Sequence, residues 1–413
     1  MAAMPAPVLP VVDPLAPYLG DQPPEILRDL PTTAPVPAGV TFRQVVIRSR
    51  GPSEIYAVIA APTTPGPHPG LLVLHGGGGT AEVEKALAWA ERGYVAVALD
   101  EPGIAEPTKL TLSTGPWSSF TYGDHRWTAN PEDSVIFDAV VAGLQGLALL
   151  RAQPGVDRAR IGVVGISWGG YLTTMVCSLA GDRVRAGFSV FGCGFYDRTS
   201  SWSNMVARSA AEQEAWLRVL DPGRRASGMT AAFFIAGAAN DFFYYPQAVQ
   251  ATLDALPGEK NHLYAPNANH QVPLPGGMAP PTVRPEDFVP TPFQPHPTPG
   301  GTRTNWLAME VPYFAYHLKG EGQPLPKVTV VPTADPRQVA VTVTTPHSLN
   351  AVTVAWAAAD PDVKTRLWTS VPTTRDSEGR YRATLPETAT TWFAIASDER
   401  PVTVSSDLVT IAS

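Results

Sequence analysis

The 413-residue chain holds only two cysteines, Cys177 and Cys193. Two thiols cannot staple a fold of this size, and neither sits in a Cys/His spacing that grips a metal. Both read as buried free thiols, and no metal or cofactor is expected. No uninterrupted apolar stretch is long enough to span a bilayer, so no membrane partner is expected. Met1 to Pro17 is rich in Ala, Pro and Val but has no basic cluster ahead of an apolar core, so it does not read as a secretory signal. The expectation is a soluble chain, cytoplasmic or secreted with its signal removed. Charge is scarce too: only 16% of residues are charged, and acidic residues outnumber basic ones by 37 to 30. A nucleic-acid partner would need a basic face that this balance does not supply. With 44% hydrophobic residues, the chain instead has the apolar material for a large core, in two domains or in one with an appendage.

The most informative stretch present is Gly165-Ile166-Ser167-Trp168-Gly169. It follows the strand-like run Arg160 to Val164 and precedes a helix-like run from Gly170 to Ala180. Strand, G-x-S-x-G, then helix describes a nucleophile elbow, a turn tight enough to need glycine on both sides. Ser167 is the candidate nucleophile.

A serine nucleophile needs a base, and the base an orienting acid, here in the chain order Ser, Asp or Glu, His. Five histidines follow Ser167. His262 falls inside a strand-like run, His296 among prolines, His317 on a helix-like run and His347 in the C-terminal region. His270 lies in the loop directly after the strand-like Lys260 to Tyr264, where a base at the carboxyl edge of a parallel sheet belongs. Ala231 to Gly237 reads as a strand buried on both faces, and Asp241 follows it. Asp241 is the candidate acid, with Asp197 in reserve.

Leu71 to Leu74 is another buried-strand run, and it ends in His75-Gly76-Gly77-Gly78-Gly79-Thr80. Backbone N–H groups of such a loop can turn toward an oxyanion with no side chain in the way. The expected donors are the N–H groups of Trp168 and Gly77, with Gly78 as an alternative, and His75 is expected to hold the loop. Gly76 to Ala81 also fits the looser G-x-G-x-x-A dinucleotide pattern, with Asp100 as a ribose acid. The elbow and its partners account for the same loop without a nucleotide.

Along the chain, residues 1–39 form a proline-rich extension expected to drape over the surface. Val40 to Ser49 and Glu54 to Ala61 predict an antiparallel pair, and strands then alternate with helices to about residue 322, which implies a mostly parallel sheet covered on both faces. Predicted helices include Ala81–Arg92, Pro131–Leu150 with Asn130 as N-cap, Pro246–Leu256 and Arg303–Lys319. Three insertions interrupt the rhythm: 101–128, 192–220 and the proline-rich 271–301. Long loops of this kind are often functional. Trp117, Tyr122, Trp127, Phe195, Tyr196 and Trp202 are the candidate substrate contacts, with packing as their other role. Residues 323–413 contain about seven short β-branched runs, among them Thr365–Thr369, at the spacing of an immunoglobulin-like sandwich. That module could bind carbohydrate, dimerise the chain, or close one wall of the site.

The HGGGG loop, the GISWGG elbow, Asp241 and His270 together resemble the α/β-hydrolase fold over roughly residues 40–320. Within it the chain is similar to the dienelactone hydrolase, acetylxylan esterase and prolyl-oligopeptidase-type branches. Dienelactone hydrolases proper carry a cysteine nucleophile. Serine at 167 points instead to ester cleavage; the resemblance to acetylxylan esterases implies short-chain, acetyl-type esters, and the aromatic insertions leave aromatic esters open, in small-molecule or polymer-linked form. A prolyl-oligopeptidase-type peptidase would use the same three residues, but that family places its extra domain N-terminally, and here it is C-terminal. A non-catalytic binding protein on the same scaffold is opposed by the intact Ser167, Asp241 and His270 set.

Overall fold

Strand runs without a polar side chain on either face, such as Val95-Ala96-Val97-Ala98-Leu99, are buried along their whole length. They form the middle of a nine-stranded sheet. The computed structural model describes residues 13–32, 35–102, 112–114, 127–268, 270, 307–400 and 402–411. In chain order the strands are β1 (Ile26–Leu30), β2 (Val40–Arg48), β3 (Glu54–Pro62), β4 (His68–Leu74), β5 (Val95–Leu99), β6 (Val156–Ile166), β7 (Ala186–Val190), β8 (Ala232–Ala238) and β9 (Lys260–Ala265). Their spatial order is β1-β2-β3-β5-β4-β6-β7-β8-β9. The first four are joined antiparallel and the six from β5 to β9 run parallel. The order reverses at β4, which pairs with β5 on one side and β6 on the other. The carboxyl ends of β4 and β6 therefore meet at the switch point, where open parallel sheets place their sites.

The helices are α1 (Val83–Ala90), α2 (Val135–Arg151), α3 (Trp168–Ala180), α4 (Ala210–Leu220), the single turn α5 (Pro222–Arg225), α6 (Pro246–Ala255) and α7 (Leu307–Phe314). The predicted helix from Pro131 is divided. Asn130 caps a short 3₁₀ turn, Pro131–Asp133, and the Ser134 side chain caps α2 by accepting from the Phe137 N–H. α7 passes through Pro312 and ends in a π turn, Ala315–Lys319. Among the described residues no helix is long and apolar enough to cross a membrane.

Two smaller antiparallel sheets follow. One has the order β10 (Lys327–Val330), β11 (Gln338–Thr344), β15 (Tyr381–Thr384), β14 (Thr374–Arg375). The other runs β13 (Thr369–Pro372), β12 (Leu349–Ala358), β16 (Ala389–Asp398), β17 (Thr403–Ser405), with β18 (Val409–Thr410) also on β16. Val339, Val341, Val354 and Phe393 are buried in them. The run Thr365–Thr369 is not a strand: only Thr369 pairs, opposite Trp356, and residues 359–368 form a loop.

The N-terminal segment departs from its expected surface path. Ile26–Leu30 adds an edge strand to the main sheet, and its exposed charged side chains hide it from any hydrophobic alternation. Upstream, Leu15 is fully buried, and Asp13 accepts two bonds from Arg225. Asp21 takes both Arg151 Nε and Nη2, at 2.9 and 3.0 Å, while Arg151 Nη1 donates to the carbonyls of Arg158 and Arg183. Removing this guanidinium strips two carbonyls and a carboxylate of their donor together. Arg151→Ala should lower the free energy of unfolding by about 2–3 kcal/mol, read from the midpoint of denaturant unfolding.

Candidate active site

Ser167 is the residue between β6 and α3, and it takes φ 58°, ψ −113°. A residue with a Cβ holds that conformation only when its surroundings impose it, at a cost on the order of 1–3 kcal/mol. The surroundings here are backbone. A Cβ on Gly169 would lie 2.3 Å from the Leu74 carbonyl oxygen, and one on Gly165 would lie 2.3 Å from that of Gly169. The end of β4, the end of β6 and the first turn of α3 therefore touch main chain to main chain. The Ser167 N–H donates to the Val190 carbonyl at the end of β7 (2.8 Å), and its own carbonyl accepts from Tyr171 (2.9 Å).

The structure brings Ser167, His270 and Asp241 into one hydrogen-bonded line. His270 Nε2 is 2.7 Å from Ser167 Oγ, and His270 Nδ1 is 2.9 Å from Asp241 Oδ2. With the carboxylate able only to accept, Nδ1 carries a proton and Nε2 faces the serine hydroxyl as an acceptor. Asp241 is fully buried at the end of β8, and its Oδ1 accepts from the backbone N–H groups of Phe243 (2.7 Å) and Tyr244 (3.0 Å). Both oxygens of the acid are thereby fixed. The reserve candidate Asp197 is elsewhere: it is exposed and pairs with Arg224.

The glycine loop lies against the elbow. A Cβ on Gly76 would come 3.4 Å from that of Ser167. Gly79 N–H closes a turn onto the Gly76 carbonyl (2.9 Å), with Gly78 at φ +74°, the left-handed position such a turn requires. His75 is fully buried beneath it. Its Nε2 accepts from the Glu101 N–H (2.9 Å), so its Nδ1–H donates to the Gly76 carbonyl (2.7 Å). Asp100 is also committed to the loop: Oδ1 accepts from the Ala81 N–H and Oδ2 from Ser113 Oγ. A carboxylate with both oxygens so engaged is a structural tie, which removes the ribose role considered for it.

Two expected substrate contacts, Trp117 and Tyr122, lie outside the described residues, as do residues 271–301. Trp127 and Tyr196 are buried and pack with Trp216 and Trp202 in one aromatic cluster. Phe195 is half-buried, its ring approached by the guanidinium groups of Arg198 and Arg224. The rings that surround the base were missed. Phe191, Phe243, Phe242 and Tyr244 have centroids 4.9, 5.0, 5.7 and 5.8 Å from that of His270. The run Phe242-Phe243-Tyr244 directly after the acid was a usable signal, whereas Phe191, at φ 54°, had none. Among the described residues no three His, Cys, Asp or Glu side chains gather as a metal site.

Glu101, next to Asp100, is fully buried, its carboxyl lies beside His75, and among the described residues neither of its oxygens has a partner at full hydrogen-bond geometry. Burial pushes its carboxyl well above the ordinary value of 4.5; the backbone N–H of His75 pulls against the rise, and the nearby Glu82 and Asp100 add to it. A carboxyl raised on folding stabilises the native state while both states are protonated, and this contribution is lost as pH rises from about 4.5 toward the folded value. Glu101→Gln should therefore match the wild type in melting temperature near pH 4 and exceed it increasingly toward pH 8, as read by thermal unfolding across that range.

Residues 36–232 match the family model described as acetyl xylan esterase. That span includes the glycine loop and the elbow and ends as β8 begins, before Asp241 and His270. Acetyl xylan esterase 1 from Thermoanaerobacterium sp. JW/SL YS485 has a similar structure, with a TM-score of 0.53 and 21% identity, over 63% of this chain and 88% of that one. An acetyl xylan esterase from Paenibacillus sp. R4 gives 0.54 and 20%, over 62% and 87%. No curated protein matches the chain in sequence. The reversal of strand order at β4, the elbow after β6 and these likenesses give the chain the α/β-hydrolase fold, with a match over residues 36–232 to the acetyl xylan esterase family.

Proposed function

We propose that the protein is a serine carboxylic-ester hydrolase acting on short-chain, acetyl-type esters. The observation that carries this reading is the Ser167–His270–Asp241 line, with bonds of 2.7 and 2.9 Å on a nucleophile elbow. The family match over the glycine loop and elbow supports the acetyl group as the acyl class. In the reaction, Ser167 Oγ attacks the ester carbonyl carbon as its proton passes to His270 Nε2. Asp241 keeps the other imidazole nitrogen protonated and stabilises the imidazolium. The negative charge on the former carbonyl oxygen is met by backbone N–H groups, for which Trp168 and Gly77, with Gly78 as alternative, are our candidates. The tetrahedral intermediate collapses, the alcohol leaves with the proton from Nε2, and an acyl-serine remains. Water then attacks this ester, losing its proton to Nε2, and the acid leaves with Ser167 restored.

The half-buried rings of Phe242 and Phe243, 4.3 Å apart and beside His270, offer an apolar surface for the acyl or alcohol group. We assign residues 40–322 to the catalytic domain, with β1 joined to its sheet, and 323–413 to an immunoglobulin-like sandwich. Two antiparallel sheets enclosing Val341, Val354 and Phe393 support the second assignment.

The test is hydrolysis of p-nitrophenyl esters from acetate to decanoate. Wild type should be fastest on acetate, and Ser167→Ala should reduce the rate to background. Asp241→Asn should stay folded and lose about 10⁴-fold in kcat, because the amide favours the wrong imidazole tautomer. A folded wild type that hydrolyses none of the esters yet cleaves proline-containing peptides would transfer the same three residues to a peptidase.

A further inference from the structure

The acid and the base each stand beside an asparagine that reaches out of the main sheet. Asn240, immediately before Asp241, is fully buried, and its Nδ2 donates toward the carbonyls of Val363 (2.9 Å), Lys364 (3.4 Å) and Arg366 (2.7 Å). Three surrounding carbonyls fix which end of the amide is nitrogen. Among the described residues its Oδ1 has no hydrogen-bond partner, so the side chain gives up half its bonding capacity to hold that one group of acceptors. Asn267, three residues before His270, makes a two-bond rung with Trp368: Nδ2 donates to its carbonyl (2.7 Å) and Oδ1 accepts from its N–H (2.8 Å). Asn267 sits at φ +53°, a left-handed conformation that asparagine adopts more readily than most residues with a Cβ.

Both partners belong to one loop, 359–368, of the C-terminal domain. The loop is braced internally by Asp360 and Asp362, which cap the N–H groups of Asp362 and Lys364, and by Arg366 Nη2 on the Asp360 carbonyl. It is anchored at its far end by the Trp368 ring, which is 2% exposed and packs on Phe393 at 4.8 Å. The acid and base loops are also tied to each other, by the Asn240 N–H on the Ala268 carbonyl (2.9 Å). The domain itself is attached to the body elsewhere, through Asn261 on Pro326, His262 on Ser406 and Tyr264 on Ser405. Docking is therefore already provided for away from the site, and the asparagine bonds act at the acid and the base.

We propose that Asn240 and Asn267 are positioning residues through which loop 359–368 of the C-terminal domain holds Asp241 and His270 in line with Ser167. This rests on the reading of those three residues as the catalytic set. A misplacement of about 1 Å at reacting groups can cost on the order of 100-fold in rate, so a brace at two neighbouring positions has a measurable effect.

The experiment uses the full chain with Asn240→Ala, Asn267→Gly and, as a control on attachment alone, Asn261→Ala. Glycine is chosen at 267 because it keeps the positive φ while removing the rung. Turnover of p-nitrophenyl acetate, the pH profile of kcat/KM and thermal melting are measured for each. Asn240→Ala and Asn267→Gly should each lose about tenfold or more in kcat with KM within about twofold, and should shift the acidic limb of the pH profile. Asn261→Ala should keep kcat and the profile, whatever it loses in melting temperature. If Asn240→Ala does not fold, Asn267→Gly carries the test by itself. Undiminished kcat in an active, Ser167-dependent enzyme bearing either folded substitution would overturn the brace alone, as would an equal loss in Asn261→Ala. A wild type without Ser167-dependent hydrolysis would overturn the catalytic reading, and the brace with it.

Discussion

The site depends on how closely three pieces of backbone approach one another. Gly169 lies so near the carbonyls of Leu74 and His75 that a single carbon added to it would overlap both, and Gly165 stands in the same relation to Gly169. Where main chains meet without side chains between them, the helix can begin at once after the strand. The residue at the junction is then forced into a conformation that lifts its hydroxyl off the sheet. The strain at Ser167 is thus supported by the packing of β4, β6 and α3. The same contact sets the glycine turn next to the serine, so the proposed nucleophile and the proposed oxyanion loop are positioned by one event.

The remaining parts are brought in by different means. Asp241 is fixed from its own side by two backbone N–H groups, and His270 is fixed by the acid and by the rings around it. Beneath the glycine turn, His75 and Asp100 replace water as partners for backbone groups that would otherwise be buried without one. Glu101 is an exception to that economy, a buried carboxyl whose oxygens have no partner at full hydrogen-bond geometry among the described residues.

That Ser167, Asp241 and His270 come together, with the glycine loop against the serine, could be read from the chain because each rule behind their placement is local. Glycine spacing marks a close approach, and a polar residue just past an apolar run marks a strand end. What was illegible depends on contacts distant in sequence. Ile26–Leu30 has the exposed, charged pattern of an edge strand and shows no alternation, so it read as loop. Residues 365–368 have β-branched and aromatic character, yet the loop from Asp360 to Trp368 is claimed by Asn240 and Asn267, more than a hundred residues away. Trp127 and Tyr196 sit in two different insertions, where substrate contact and packing were both open, and burial against Trp216 makes them part of the core.

The sheet order also has a consequence for how the protein is made. β9 is the outermost parallel strand, and the groups that meet its far side come late: Ser405, which bonds Tyr264, lies 141 residues downstream. At ribosomal rates of about 5–20 residues per second, that interval is roughly 7–28 s. Throughout it, a strand carrying Leu263 and Tyr264 has an open hydrogen-bonding edge, the feature that invites pairing between nascent chains. Translation speed and chaperone supply over the final stretch thus bear directly on the yield of folded protein.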